Sequence, residues 1–154
     1  MGKDQARRKE SGCAFPGEFT GRAAGVDASQ KAQKKVARVN FDWTNLGDVV
    51  AKIDEELGET KAALEEWHRQ PADQGGPKKT SHELEDEIGD LLFAVVNLAR
   101  KCDIDAESAL QQATDKFRDR FNRVEDEVRA SGKKLGEVEL AELDAIWEKI
   151  KRKS

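Results

Sequence analysis

The chain has 154 residues, 38% charged and 37% hydrophobic, with no Tyr and only 3 Pro. That is enough for one domain with its own core, and the composition disfavours a β-rich fold. The net charge of -4 is uneven: residues 1–40 hold 9 Lys/Arg against 4 Asp/Glu, and the remainder 18 against 27. An acidic body argues against nucleic-acid binding by the folded domain, and the basic start reads as solvated charge. No 18-residue apolar run is present and residues 1–25 lack an apolar signal core, so no membrane partner is expected. Cys13 and Cys102 have no C-x-x-C spacing, which suggests neither a zinc site nor a disulfide framework and fits a cytoplasmic location.

Residues 1–28 carry scattered Gly and charge without periodicity and are expected to be a flexible N-terminal segment, with the domain spanning 29–154. A short helix is expected over 29–39. Phe41-Asp42-Trp43 forms an apolar connector, and Thr44 or Asn45 can cap a helix over 46–68. Its apolar stripe is Leu46, Val50, Ile53, Leu57 and Leu64. Residues 70–79 are turn formers. Thr80 and Glu83 make a capping box for a helix over 81–102, whose seam is Leu84, Ile88, Leu91, Val95, Leu98 and Cys102. Asp105 caps a helix over 106–130 on Leu110, Ala113, Phe117, Phe121, Val124 and Val128, and Gly132 ends it. A last helix over 139–152 uses Leu140, Leu143, Trp147 and Ile150. The fold class is all-α, a bundle of four to five helices.

Two helices carry a split acidic motif, Glu55-Glu56-Leu57-Gly58-Glu59 and Glu87-Ile88-Gly89-Asp90. Carboxylates three apart share a helix face. With the first seam centred on Leu46, Ile53, Leu57 and Leu64, Glu56 lies about 80° and Glu59 about 140° to one side, with Lys52 on the same strip. Glu55 falls nearly opposite. With the second seam centred on Leu84, Ile88, Leu91 and Val95, Glu87 and Asp90 lie about 60° and 120° off in the same rotational sense, and Ala94 and Asn97 continue that strip. Equal-handed offsets meet on one side of an antiparallel hairpin. Glu56, Glu59, Glu87 and Asp90 therefore converge at its rim as hard oxygen ligands suited to Mg²⁺ or Mn²⁺. The plain alternative is a solvated acidic face, in a chain with 31 Asp/Glu.

A second strip, Lys116, Arg120 and Arg123, flanks the Phe117/Phe121 seam. It is either surface charge or a contact for polyphosphate oxygens. Trp147 with Lys151, one turn apart, can stack on a base and touch phosphate, or Trp147 is a core aromatic.

Together these residues resemble the MazG family of nucleoside triphosphate pyrophosphohydrolases, all-α enzymes related to dimeric dUTPases. The likeness runs from about Ala32 to Lys151. It rests on Ala32-Gln33-Lys34-Lys35, Asn40-Phe41-Asp42-Trp43, Lys52-Ile53-Asp54-Glu55-Glu56-Leu57 with Glu59, and Glu85-Asp86-Glu87-Ile88-Gly89-Asp90-Leu91-Leu92-Phe93 with Asn97-Leu98-Ala99-Arg100. Lys116-Phe117 through Arg120-Phe121 and Trp147 through Lys151 complete it. The resemblance implies Mg²⁺ on Glu56, Glu59, Glu87 and Asp90. It implies nucleotide contacts from Lys116, Arg120, Trp147, Lys151 and Asn97. The implied reaction is hydrolysis of a nucleoside triphosphate to the monophosphate and pyrophosphate, in nucleotide pool control or cleansing. It also implies a homodimer or homotetramer.

Three rivals remain. A pyrimidine-specific dUTP or dCTP pyrophosphatase keeps the chemistry and narrows the base. A non-catalytic helical dimerisation module with a vestigial site would tolerate loss of ligands, whereas the carboxylate set here is intact. A di-iron bundle wants two E-x-x-H motifs, and the chain offers only Glu65-x-x-His68 near a helix end.

Overall fold

The structure is a computed structural model that describes residues 25–70 and 81–152. The described residues form five α-helices and no strand: α1 (Gly25–Ala37), α2 (Leu46–Arg69), α3 (His82–Lys101), α4 (Ala106–Ala130) and α5 (Leu140–Arg152). A 3-10 turn, Leu135–Glu137, separates the last two helices. The all-α expectation holds. The loop expected at 70–79 lies outside the described residues apart from Gln70, as do Thr80 and residues 1–24 of the N-terminal segment.

Side-chain oxygens set the helix starts. Asn45 Oδ1 accepts from Asp48 N at 2.9 Å, so Asn45 rather than Thr44 caps α2. Asp105 Oδ1 accepts from Ser108 N at 2.7 Å, as expected, and that bond holds the Asp105 carboxyl below its ordinary range. The cap of α3 is Ser81, one residue beyond the expected Thr80; its Oγ accepts from Leu84 N at 3.3 Å. Gly132 ends α4 in the left-handed region, φ 78°, which an L side chain resists. The first helix starts earlier than 29. Ser29 Oγ donates to Gly25 O at 2.7 Å and Lys31 pairs with Asp27 at 2.6 Å, so the boundary expected at 28/29 falls inside the first turn of α1.

Helices α2 and α3 form an antiparallel hairpin: Glu56 lies beside Asp90 while Thr60, one turn on, bonds to Glu87. The expected leucine seams are only partly covered, with Ile53, Leu84, Leu91 and Leu98 half-buried. The buried line of α2 is Val49, Glu56 and Ala63, and Ala94 is buried on α3, while Leu57, Leu64, Ile88, Leu92 and Val95 stay exposed. The buried line of α2 is therefore turned by about 80° from its expected seam, and Ala94 lies off the expected α3 seam in the same sense.

A separate apolar cluster sits between α4, the 3-10 turn and α5. Val124, Val128 and Ile150 are buried there, with Leu135, Val138, Leu143, Ile146 and Trp147 packed around them. Burying each of the three contributes about 1.5–3 kcal/mol. The expected α4 seam is thus half used, since Leu110, Phe117 and Phe121 stay exposed.

Helix α1 braces the α3–α4 corner through polar side chains. Gln30 Nε2 donates to Ile104 O at 2.7 Å and its Oε1 accepts from Ala106 N at 2.9 Å. Gln33 Nε2 donates to Phe93 O at 2.9 Å. Among the described residues α2 packs on α3 alone and makes no contact with α4 or α5. No helix of the described residues is long and apolar enough to cross a membrane.

Candidate active site

Glu56 occupies the middle of the α2–α3 contact and is 5% exposed. A carboxylate taken out of water needs a countercharge or it protonates. Lys52, one turn earlier, supplies one: its Nζ lies 2.6 Å from Glu56 Oε1 and 2.8 Å from Glu55 Oε1. Those two carboxylates, Glu55 first, raise the affinity of Lys52 for its proton and keep it charged. The other oxygen of Glu56, Oε2, is buried without a partner.

Two groups of acidic residues meet at Glu56. Glu56, Glu87 and Asp90 bring one oxygen each to within 4.8 Å of one another across the hairpin, and Glu55, Glu56 and Glu59 do so along α2. Thr60 fixes the crossing, because its hydroxyl lies 2.8 Å from Glu56 O and 3.2 Å from Glu87 O and ties the two backbones together. Partial burial, then the charges of Glu59, Asp90 and Glu56, raise the Glu87 carboxyl above its ordinary range. A group of like charges gathered beside an unpaired buried oxygen is suited to a hard divalent cation. The residues present fit such an ion.

The expected set of Glu56, Glu59, Glu87 and Asp90 thus shares one region, with two adjustments. Glu56 is inside the contact rather than at its rim. Glu55 is not turned away. Once Glu56 is the buried centre, Glu55 and Glu59 lie on the same side, about 40° apart, with Lys52 beside them. The Lys52 bridge had a sequence signal in the spacing Lys52-x-x-Glu55-Glu56. Thr60 had none.

The second strip is elsewhere. Lys116 is exposed, Arg120 keeps a buried Nε without a partner, and Lys151 pairs with Glu148 at 3.4 Å. Trp147 is a core aromatic, with its ring centroid 5.3 Å from that of Phe117. Among the described residues the backbones of α4 and α5 do not approach that of α2, which carries Glu56 and Glu59. Asn97 does stand on the α3 strip, beyond Asp90. It borders a cleft of about 470 Å³ between α1, the Phe41–Trp43 connector and α3.

An all-α hairpin with this acidic centre has the donor set for a hard divalent cation, and the comparisons name its class as nucleotide pyrophosphohydrolases. The chain belongs to the family described as the MazG nucleotide pyrophosphohydrolase domain, which matches residues 45–125. It is 44% identical over 124 residues to the nucleoside triphosphate pyrophosphohydrolase of Escherichia coli (strain K12), covering 80% of this chain and 43% of that protein. It is 38% identical over 135 residues to the nucleoside triphosphate pyrophosphohydrolase/pyrophosphatase MazG of Thermotoga maritima, covering 88% of this chain and 47% of the relative. The uncharacterized protein YpjD of Bacillus subtilis is 39% identical over 85 residues, 51% of this chain and 72% of its own length. The chain spans less than half the length of the first two relatives.

Proposed function

We propose that this chain hydrolyses nucleoside triphosphates to the monophosphate and pyrophosphate in the cytoplasm, as part of nucleotide pool control. The observation that carries the reading is the buried Glu56, with an unpartnered Oε2, gathered with Glu87 and Asp90 in a chain of the MazG family. Glu56, Glu59, Glu87 and Asp90 would hold Mg²⁺, with Mn²⁺ as a substitute. Bound there, the ion supplies a Lewis acid for phosphoryl oxygens and acidifies a water. A carboxylate of the set would orient a water and take its proton, for in-line attack of that water on the α-phosphorus. The bond to the β-phosphate oxygen breaks, and pyrophosphate leaves. Lys116, Arg120 and Lys151 offset its charge, with Trp147 and Asn97 as further nucleotide contacts.

The cations of α4 and α5 stand on helices that do not pack on α2 in one chain, and apolar residues on α2, α3 and α4 are exposed. Both support a homodimer or homotetramer in which a second copy completes the site. The working domain is the helical unit of residues 29–154, extended by the first turn of α1. Chromatography of the products tests the reaction: monophosphate and pyrophosphate are expected, and diphosphate with orthophosphate would exclude it.

A further inference from the structure

Helix α1 spans the two parts of the chain that the proposed reaction uses. The carboxylates stand on α2 and α3, whereas Lys116, Arg120, Trp147 and Lys151 stand on α4 and α5. Among the described helices α5 packs on α4 alone, and α4 approaches the hairpin at α3 but not at α2. Helix α1 packs on both α3 and α4. At the corner between those two, Asp103 is left-handed, φ 56°, and Ile104 N donates to Ala99 O at 2.9 Å, which ends α3. Helix α4 begins two residues later. Its first N–H, on Ala106, has no carbonyl within the helix to receive it. Gln30 supplies an acceptor: its Oε1 accepts from Ala106 N at 2.9 Å, while its Nε2 donates to Ile104 O at 2.7 Å. A backbone carbonyl only accepts and a backbone N–H only donates, so the Gln30 amide has a single orientation. The side chain is 4% exposed and grips the backbone on both sides of Asp105, the cap of α4.

The direction in which α4 leaves this corner matters because the helix is long. Lys116 and Arg120 lie about 15 and 21 Å along the axis from Ala106. A tilt of about 5° at the corner moves a group at the farther distance by about 2 Å. A displacement of about 1 Å at a group that holds substrate can cost about a hundredfold. We propose that Gln30 is a positioning residue for the triphosphate. By holding Ile104 and Ala106 together, it fixes the angle at which α4 presents Lys116 and Arg120 to the phosphate oxygens. The proposal rests on the pyrophosphohydrolase reading for the role of those two cations.

The test is a double-mutant cycle on binding, read by calorimetry with Mg²⁺ present. The probe is an α,β-methylene nucleoside triphosphate, which keeps the phosphates and resists cleavage between the first two. Gln30→Met keeps the length of the side chain and removes both bonds. It should weaken the probe about tenfold. Helical circular dichroism and the Mg²⁺ affinity measured without probe should not change, because the carboxylates stand on α2 and α3. In an Arg120→Ala background the same change should cost about threefold or less, since a group that Gln30 positions is gone. Equal factors in both backgrounds, or an equal loss of Mg²⁺ affinity, would make Gln30 a purely structural residue and overturn the proposal. Ala106→Pro serves where Gln30→Met does not fold. Asp105 already has the extended backbone, φ -76° and ψ 109°, that a following proline requires, and proline is well accommodated at the first position of a helix. The change removes the N–H that Gln30 Oε1 holds. It should weaken the probe with the same dependence on Arg120, and an affinity equal to that of wild type would overturn the proposal. Pyrophosphate release by wild type is measured alongside. Its absence would end the hydrolase reading alone, and the binding cycle would still decide whether Gln30 acts through Arg120. A wild type that did not bind the probe would overturn both.

Discussion

Lys52 and Glu56 form a 2.6 Å ion pair inside the α2–α3 hairpin, and it satisfies one oxygen of the carboxylate while the other stays bare. The lysine is an internal countercharge that a divalent ion competes with for the same group. Mg²⁺ at a hundred times its dissociation constant should stabilise the wild-type fold by about 2.7 kcal/mol, a rise in Tm of roughly 5–11 °C for a domain of this size. Lys52→Met should lower Tm in chelator and tighten Mg²⁺ binding, read by calorimetry. Weaker Mg²⁺ binding in that variant would mean that Lys52 holds the ligands in place instead.

The four carboxylates differ in what their loss should do. Glu59→Gln and Glu87→Gln should each cut turnover by about a hundredfold or more, the scale of a lost group that acts on the transition-state charge, with helical circular dichroism unchanged. Glu55→Gln should cost less, about tenfold, because its contact with the site runs through Lys52. A loss as large as that of Glu59→Gln would give Glu55 a direct role with water or a second ion.

Glu87 also gives a stability signature. Its folded carboxyl is raised by burial and by Glu59, Asp90 and Glu56, so the folded chain holds this proton to higher pH than the unfolded chain. The contribution is favourable below the unfolded value and is lost as pH rises through the folded one. In chelator, Glu87→Gln should therefore melt higher than wild type at pH 7, and the difference should shrink towards pH 4. An equal difference at both values would show that the charge cluster is not the cause.

The convergence of Glu56, Glu87 and Asp90 was legible because three-residue spacing and equal-handed offsets survive any rotation common to both helices. The rotation itself was not legible. A helical wheel centred on leucines assumes that the longest apolar stripe faces the next helix in the chain, and here the buried line of α2 is Val49, Glu56 and Ala63, with Thr60 bonded across to α3. Gln30 and Gln33 carry no sequence signal of burial, and Gln33 enters the MazG likeness only as part of the Ala32–Lys35 run. They are buried because carbonyls at Ile104 and Phe93 need donors, a requirement set by the α3–α4 corner. Asp42 and Arg100 pair across 58 positions, with no local pattern to announce them.

That pair has its own pH dependence. The Arg100 guanidinium first, and Lys101 with it, hold the Asp42 carboxyl below its ordinary range. A depressed carboxyl contributes stability above its unfolded value and loses it as pH falls through the folded one. Asp42→Asn should cost about 1 kcal/mol at pH 7, the upper range for a partly exposed pair, measured by urea denaturation. The cost should disappear as pH falls below the ordinary carboxylate range. A cost that persisted in acid would assign it to packing of the connector rather than to charge.

Assembly is the remaining expectation. Leu57, Ile88, Leu92, Val95, Phe117 and Phe121 are all more than a third exposed, a larger apolar surface than a lone soluble chain carries without use. Light scattering at micromolar concentration should give at least twice the monomer mass, and Leu92→Glu should weaken the assembly. Completion of each site by the second copy can be read separately. Glu59→Gln and Arg120→Ala chains, each nearly inactive alone, should recover about a quarter of wild-type activity after unfolding and refolding together, because half of randomly paired symmetric dimers then carry one intact site. A stable, fully active monomer would refute both statements, and a dimer without recovery would refute only the shared site.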